Sequence, residues 1–164
     1  MIPRTRLATP ADLPYIDMLR RRESEALGFL PLSAYERIVC GASAHRLWIV
    51  EAEGDRVGFL YASPGGTGRA LPIVQVAVQQ DARRLAYASA LVSEAECYAV
   101  QLQRPAVGLK VAQDLESTTF WTALGYRLLG MEAGGARRGR VMEVRRKLLR
   151  TMLEYWAPVP LDGG

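Results

Sequence analysis

The sequence predicts one α+β domain in which helices cover both faces of a β-sheet. Three observations predict it: β-rich runs recur along the chain, helical periodicities separate them, and a valine-rich run leads into a long amphipathic stretch. The chain has 164 residues, 49% hydrophobic and 23% charged. This length suits one domain that buries about 70% of its unfolded surface, and the composition excludes a disordered or fibrous chain.

The first quarter predicts a strand followed by two helices. Residues 5–8 are extended, and Thr9 can cap a helix whose first turn contains Pro10. Apolar residues follow at helical spacing: Leu13, Ile16 and Leu19. Ser33 and Glu36 form a capping-box pattern, which predicts a second, short helix starting there.

The middle of the chain predicts a hairpin, a strand, a long helix and another strand. Residues 47–52 and 57–62 are β-rich runs joined by a four-residue turn, and residues 73–78 form a third run. The long helix then shows one apolar face: Ala88, Leu91, Ala95, Tyr98 and Leu102. Pro105 ends this helix, and residues 106–111 return to a strand.

The last third predicts a short helix and a hairpin. Asp114 can cap the helix, Gly125 can end it, and one apolar face lies between them: Ser117, Phe120, Trp121 and Leu124. Residues 127–131 and 141–144 then form two strands around a glycine-containing loop.

A C-terminal helix and tail are predicted over residues 148–164, after a main domain of residues 1–147, with the helix ending at Ala157-Pro158. Its apolar stripe is Leu148, Leu149, Met152, Leu153 and Trp156. This stripe either packs on the same domain or forms a homodimer contact, because exposed apolar stripes often mark interfaces.

The cysteines and the histidine limit the chemistry of the chain. Cys40 and Cys97 have no metal-type spacing, so we interpret both as small buried apolar residues. His45 is the only histidine, and it precedes an apolar strand, so we interpret it as a loop or strand-edge residue rather than a base. No metal site is expected.

The charge favours anionic partners only weakly. The net charge is +4, and arginines cluster at residues 20–22, 137–140 and 145–147. We interpret these clusters as solvated faces, with a dedicated anion site as the alternative. No run approaches the roughly 18 apolar residues of a membrane helix, and the start lacks a signal-peptide core, so a cytoplasmic location is expected.

Residues 76–92 resemble the signature segment of the GNAT superfamily of N-acetyltransferases, in which a strand enters a helix through Gln/Arg-x-x-Gly-x-Gly/Ala. The matching residues are Arg83, Ala86 and Ala88. The resemblance implies a central mixed, mostly antiparallel sheet flanked by helices, and acetyl-CoA as co-substrate. Free amides at a helix start attract an anion, and small residues allow a pyrophosphate to approach them.

The expected pyrophosphate contacts come from the main-chain amides at this helix start: Arg84, Leu85, Ala86, Tyr87 and Ala88. Arg83 or Arg84 would add a charged contact. Alanine replaces the family's first glycine at Ala86, which a helical backbone tolerates.

A second segment, from Asp114 to Tyr126, resembles the family's Asn-x-x-Ala-x-x-Phe-Tyr-x-x-x-Gly-Phe helix. This resemblance implies that Asp114 and Trp121 flank the pantetheine arm. The family often has a tyrosine acid where this chain has Trp121, and indole supplies no proton at neutral pH. The general acid is therefore left unassigned.

The strand before the signature often carries a glutamate base in the family, and Gln75 is the polar residue found there. Glutamine orients a water or an amide but does not accept its proton. The N–H groups of Val76 and Val78 are expected to hold the acetyl carbonyl. No catalytic side chain follows from these residues.

The resemblance predicts transfer of an acetyl group from acetyl-CoA to a primary amine of a small molecule or protein by direct attack. The acceptor is expected near Glu25, Tyr61, Gln75 and the loop of residues 134–140. Arg137, Arg138 and Arg140 in that loop favour an acceptor with a phosphate or carboxylate. Two alternatives are a catalytically reduced acyl-CoA-binding or regulatory module, and a nucleic-acid-associated modifier.

Overall fold

The computed structural model describes residues 2–27, 30–41, 43–65, 69–83, 86–113, 117–134 and 140–149. The strands are β1 (Arg4–Leu7), β2 (Arg46–Ala52), β3 (Asp55–Ala62), β4 (Ala70–Val78), β5 (Ala106–Ala112), β6 (Arg127–Ala133) and β7 (Val141–Leu148). The helices are α1 (Leu13–Arg22), α2 (Ser24–Leu27), α3 (Leu32–Cys40), α4 (Tyr87–Gln101) and α5 (Ser117–Ala123). Short 3₁₀ turns lie at Pro10–Asp12 and Gln80–Ala82. None of the described helices is long and apolar enough to cross a membrane.

The strands form one sheet in the order β1-β2-β3-β4-β5-β7-β6. Every neighbouring pair is antiparallel except β4 and β5, which are parallel. The prediction of a mixed, mostly antiparallel sheet is therefore confirmed. Strands β4 and β5 run parallel because α4, which lies between them in the chain, forms the crossover that a parallel pair requires.

Two apolar cores lie on opposite faces of the sheet. On one face, Leu91 and Ala95 of α4 are fully buried in the same cluster as Leu60 and Leu71. On the other face, the α1 and α3 helices bury residues against β2 and β3: Ile16, Leu19, Tyr35, Ile49 and Phe59. The helical periodicities predicted for α1 and α4 are thus confirmed by burial.

A β-bulge in β4 changes which face each residue occupies. Ala62 pairs with Ile73 and Tyr61 pairs with Gln75, so Val74 has no partner in β3. Before the bulge, Ile73 belongs to the α4-side core; after it, Val76 contacts that same core. One extra residue in a strand reverses the alternation of side chains, so the polar Gln75 moves to the α1–α3 face.

The start of α3 and the burial of the two cysteines differ from the sequence predictions. Helix α3 begins at Leu32 directly after the extended Pro31, so Ser33 lies inside the helix and does not cap it. Leu32 packs against the α1–α3 core, and this packing sets the helix start. Cys40 and Cys97 are exposed rather than buried, because they lie on helix positions that face away from the sheet.

Strand β7 extends further than the sequence predicts. It runs to Leu148, which is 78% exposed, and the N–H of Leu149 donates to the carbonyl of Pro105 at 2.8 Å. Leu148 therefore belongs to the sheet rather than to a terminal helix. The rest of the predicted C-terminal helix and tail, residues 150–164, lies outside the described residues.

Gly58 in the middle of β3 leaves no room for a side chain. A Cβ atom there would lie 2.6 Å from the carbonyl oxygen of Ala77 and 3.0 Å from Cγ2 of Val78. Gly58→Ala should lower the free energy of unfolding by about 2 kcal/mol, since overpacking forces the backbone of β4 to shift. Urea unfolding measures this. The control is Gly65→Ala, whose Cβ would make an ordinary 3.5 Å contact with Ser63; equal losses in both variants would contradict the packing argument.

Candidate active site at the splayed strands

Strands β4 and β5 diverge after a short parallel contact. They pair over only three positions, Ala70 to Pro72 with Ala106 to Gly108. Both strands continue past these positions, and β5 stays paired with β7 along its whole length. A V-shaped cleft therefore opens beside the second half of β4.

Two amides of β4 point into this cleft. In an antiparallel pair the N–H groups alternate between the partner strand and the opposite side. The N–H of Gln79 donates to the carbonyl of Val57 on the β3 side at 2.8 Å, so the amides of Val76 and Val78 face away from β3. The carbonyl of Val78 also faces the cleft, where it accepts from Nε of Arg83 at 3.1 Å. The structure thus places Val76 and Val78 together at the mouth of the V.

Helix α4 begins close to the same place. Its first residue, Tyr87, is buried, while Ala86 just before it is exposed. The first turn contains no acidic residue, so its free amides present a positive potential. Ala88 is partly buried against the α4-side core. Arg84 and Leu85, two of the expected pyrophosphate contacts, lie outside the described residues.

Arg83, which the sequence predicts as a coenzyme contact, also bonds to two groups of the protein itself. Its Nη2 lies 2.7 Å from Oε1 of Glu23, and its Nε bonds to the Val78 carbonyl. The guanidinium thus joins the end of β4 to the link between α1 and α2. With 46% of its side chain exposed, Arg83 would have to divide its hydrogen bonds between Glu23 and a coenzyme.

Trp121 is part of the core rather than a lining of an open pocket. It is 3% exposed and packs edge-on against Phe120 and Tyr126, with ring centroids 5.0 and 5.1 Å apart. Burial, together with the nearby charge of Glu96, raises the pKa of Tyr126, whose hydroxyl donates to Glu96 at 3.1 Å. Asp114, the other residue expected beside the pantetheine arm, lies outside the described residues.

On the α1–α3 side of the cleft, Gln75 is held by two hydrogen bonds. Its Oε1 accepts from the hydroxyl of Tyr35, and its Nε2 donates to the carbonyl of Leu27 at 3.2 Å. Burial raises the pKa of Tyr35 to about 12, which the hydrogen bond to Gln75 opposes. Tyr35 therefore stays neutral, and it fixes the orientation of the Gln75 amide.

Tyr61 lies opposite Gln75 on the neighbouring strand. Its hydroxyl is 2.8 Å from Nδ1 of His45, and the two rings stack. The structure thus brings together Tyr61 and Gln75, two of the residues that the sequence predicts near the acceptor. Glu25 belongs to α2, next to this region, and its side chain is not among the described ones.

Sequence reasoning missed three residues around this side. Tyr35 and His45 contact Gln75 and Tyr61, and Arg20 lies near enough for its charge to act on Tyr35. Nη2 of Arg20 lies 2.6 Å from Asp17, while its Nε is buried without a hydrogen-bond partner among the described residues. No motif indicates these residues, because they come from α1, α3 and the segment before β2 and meet only in the folded chain.

The basic clusters are not all solvated faces. Arg145 is buried, with its Nε 2.9 Å from Glu143 and its Nη1 bonded to the carbonyl of Tyr126. Lys147 pairs with Glu96 at 2.8 Å. The prediction of a solvated face at residues 145–147 is therefore wrong for Arg145, because its charge ties β7 to α5. Arg137 and Arg138 lie outside the described residues.

The fold and this cleft define an acyl-CoA N-acyltransferase architecture. A family model of the acetyltransferase (GNAT) family matches residues 14–126. The chain belongs to the GNAT acetyltransferase family, which confirms the resemblance seen in its sequence. No curated protein matches the chain.

Solved structures share the fold at low sequence identity. Arabidopsis thaliana NAA60, in complex with a bisubstrate analogue, is 14% identical with a TM-score of 0.77, covering 90% of this chain and 98% of its own. A GCN5-related N-acetyltransferase from Kribbella flavida is 19% identical with a TM-score of 0.75, covering 90% and 98%. Spermidine N-acetyltransferase from Vibrio cholerae, in complex with CoA and spermine, is 17% identical with a TM-score of 0.73, covering 89% and 95%.

Proposed function

We propose that this chain transfers an acetyl group from acetyl-CoA to a primary amine by direct attack. The observation that carries the proposal is the pair of β4 amides, Val76 and Val78, that face the cleft beside the start of α4. A carbonyl oxygen held there would receive N–H bonds as negative charge develops on it, which is where such donors lower a barrier most.

The residues at the start of α4 fit the anionic part of acetyl-CoA. Ala86 is exposed and small, the first turn carries no carboxylate, and the helix dipole is positive there. Ala86, Tyr87 and Ala88 would hold the pyrophosphate by main-chain amides, together with Arg84 and Leu85 from the signature segment. When bound, acetyl-CoA supplies an acetyl group activated as a thioester.

The described side chains at the family's acid and base positions do not transfer protons at neutral pH. Trp121 is a buried indole, and Gln75 is an amide. The chain's residues therefore act by positioning: Tyr35 orients Gln75, and Gln75 with Tyr61 lines the side from which the amine attacks. The attacking amine must be neutral, and its proton leaves to solvent.

The acceptor is a primary amine that enters from the α1–α3 side. Two proteins of the same fold were solved with such molecules bound, one with CoA and spermine and the other with a bisubstrate analogue. We propose Glu25, Tyr61 and Gln75 as acceptor contacts, together with Arg137 and Arg138. Guanidinium groups there favour an acceptor that also carries a carboxylate or phosphate.

Ala86→Asp separates coenzyme binding from folding. A carboxylate at a helix start interacts favourably with the helix dipole, by about 0.5 kcal/mol. The melting temperature of Ala86→Asp should therefore equal that of the natural chain or be slightly higher. The same charge should repel the pyrophosphate and weaken acetyl-CoA binding at least tenfold. Isothermal titration with acetyl-CoA, for which a submillimolar Kd is expected in the natural chain, measures the effect.

The matched control is Ala86→Asn, which has the same shape without the charge. It should bind acetyl-CoA within about threefold of the natural chain, less than 1 kcal/mol. If the natural chain shows no submillimolar binding, the proposed function fails. If both variants bind alike, acetyl-CoA does not use the start of α4.

A further inference from the structure

Strand β6 ends the sheet with an exposed apolar edge. Its one strand neighbour in the described part of the chain is β7, and all seven of its residues are exposed. The exposed fractions of its large apolar residues are 46% for Leu128, 57% for Leu129 and 52% for Met131. Such an edge presents free N–H and C=O groups beside apolar side chains, which is a template for another strand.

The opposite edge of the sheet, formed by β1, is short and charged. Strand β1 has only four residues, two of which are Arg4 and Arg6. A short strand with charged residues discourages pairing with a further strand. In the part of the chain that the structure describes, the β1 edge is therefore guarded against pairing with a further strand and the β6 edge is not.

A bulge in β6 sorts its side chains between two faces. Leu128 pairs with Arg145 and Gly130 pairs with Val144, so Leu129 has no partner in β7. Leu128 and Met131 lie opposite Arg145 and Glu143, which share the face that carries α5. Arg127 and Glu132 lie on the other face, where Glu132 pairs with Lys110 at 2.6 Å.

We propose that two copies of this chain form a homodimer by antiparallel pairing of β6 with β6, about a two-fold axis between Leu129 and Gly130. This register sets Leu128 opposite Met131 of the second copy, and Arg127 opposite Glu132. Residues opposite each other in an antiparallel pair share a face. Leu128 and Met131 both lie on the α5 face, and Arg127 and Glu132 both lie on the other face, so each pair can form.

The charge pattern selects this register. Each interface contains the Arg127–Glu132 pair twice, because a two-fold axis makes the strand edge self-complementary. Moving the register by one residue sets Arg127 opposite either Ala133 or Met131, and it breaks both the apolar and the ionic match. The occupant that fits β6 best is therefore β6 itself.

Sedimentation and light scattering test the dimer with the full chain. The natural chain should have twice its 18.1 kDa mass. Met131→Lys and Arg127→Glu should each raise the dissociation constant at least tenfold, with unchanged circular dichroism. Leu7→Lys, at the guarded β1 edge, is the matched control and should remain dimeric.

Three outcomes would overturn the proposal. The first is a natural chain that stays at 18.1 kDa up to about 100 µM, where even weak dimers form. The second is a dimer that neither β6 variant weakens. The third is a dimer that Trp156→Arg dissociates while the β6 variants do not, since the C-terminal stripe would then form the contact.

Disulfide cross-linking tests the register directly. With Cys40 and Cys97 replaced by Ser, the double variant Leu128→Cys/Met131→Cys should form a covalent dimer under mild oxidation, because opposite Cβ atoms lie about 5 Å apart. Leu128→Cys alone should not, since the two copies of residue 128 lie roughly 10 Å apart, three residues along the strand. Efficient cross-linking of the single variant would exclude this register.

Discussion

Replacing Asp12 by Asn should lower the free energy of unfolding by about 3 kcal/mol, the low end of the range for removing one partner of a buried ion pair. The Asp12 carboxylate is fully buried and accepts from Arg6 at 2.7 and 2.8 Å, from Arg56 at 2.6 Å and from the Thr9 N–H at 2.8 Å. Asparagine leaves two guanidinium groups without their shared counter-ion. We choose the low end because both arginines are partly exposed.

Chemical denaturation at pH 7 measures this loss. Asp55→Asn is the matched control: Asp55 is an exposed residue at the turn between β2 and β3, and its change should stay within about 0.5 kcal/mol. A loss below about 1 kcal/mol for Asp12→Asn would show that the cluster does not hold β1 and β3 to the first helix.

The contribution of Asp12 to stability should depend on pH in a defined direction. Burial by itself would raise the pKa of Asp12, but the hydrogen bonds from Arg6, Thr9 and Arg56 outweigh it and hold the pKa well below its ordinary value of 3.8. A carboxyl whose folded pKa is depressed stabilises the fold above its unfolded pKa and loses this effect as the pH falls. The natural chain and Asp12→Asn should therefore differ in free energy of unfolding by the full amount at pH 5, and this difference should shrink below about pH 4.

Val76→Pro should lower kcat about 100-fold, which is the usual cost of removing one oxyanion donor. Proline has no N–H, and the N–H of Val76 faces the cleft rather than β3. A strand tolerates proline where its N–H is not part of the ladder. Thiol release from acetyl-CoA with a panel of polyamines, amino acids and peptide N-termini gives the rate, and titration checks that the Kd for acetyl-CoA changes less than about threefold.

Ala77→Pro is the contrasting variant. The N–H of Ala77 points to β3, so proline there removes a ladder hydrogen bond, leaves a β3 carbonyl unpaired, and should lower the free energy of unfolding by about 2 kcal/mol. If Val76→Pro retains full kcat in a stable fold, the Val76 amide does not hold the reacting carbonyl, and Val78→Pro becomes the next test.

Sequence reasoning predicted most of the fold because its signals are local. The apolar face of α4 repeats at helical spacing, and the turn between β2 and β3 lies between two β-rich runs, so each can be identified without knowing its neighbours. The order of these elements matched a known family, and that supplied the sheet topology.

The features it could not predict depend on contacts between distant residues. Arg145 is buried where its guanidinium donates to the hydroxyl of Thr122 in α5 and to the carbonyl of Tyr126, about twenty residues earlier in the chain. Asp12 joins Arg6 to Arg56, which are far apart in sequence. The Tyr35–Gln75 bond spans 40 residues, and it forms only because a bulge directs Gln75 to that face.

The bulge at Val74 also gives β4 one residue more than its pairing with β3 requires. Ile73 and Gln75 already pair with neighbouring residues of β3, Ala62 and Tyr61, and so lie on opposite faces of the sheet. Loss of Val74 alone would therefore turn β4 into a regular strand and leave the following side chains in the cores they now occupy. Loss of a residue from 75 to 78 would instead move Val74 and every residue up to the deletion by one position, which puts each of them on the opposite face. Position 74 is thus the place in this half of β4 where a deletion should disturb the two cores least.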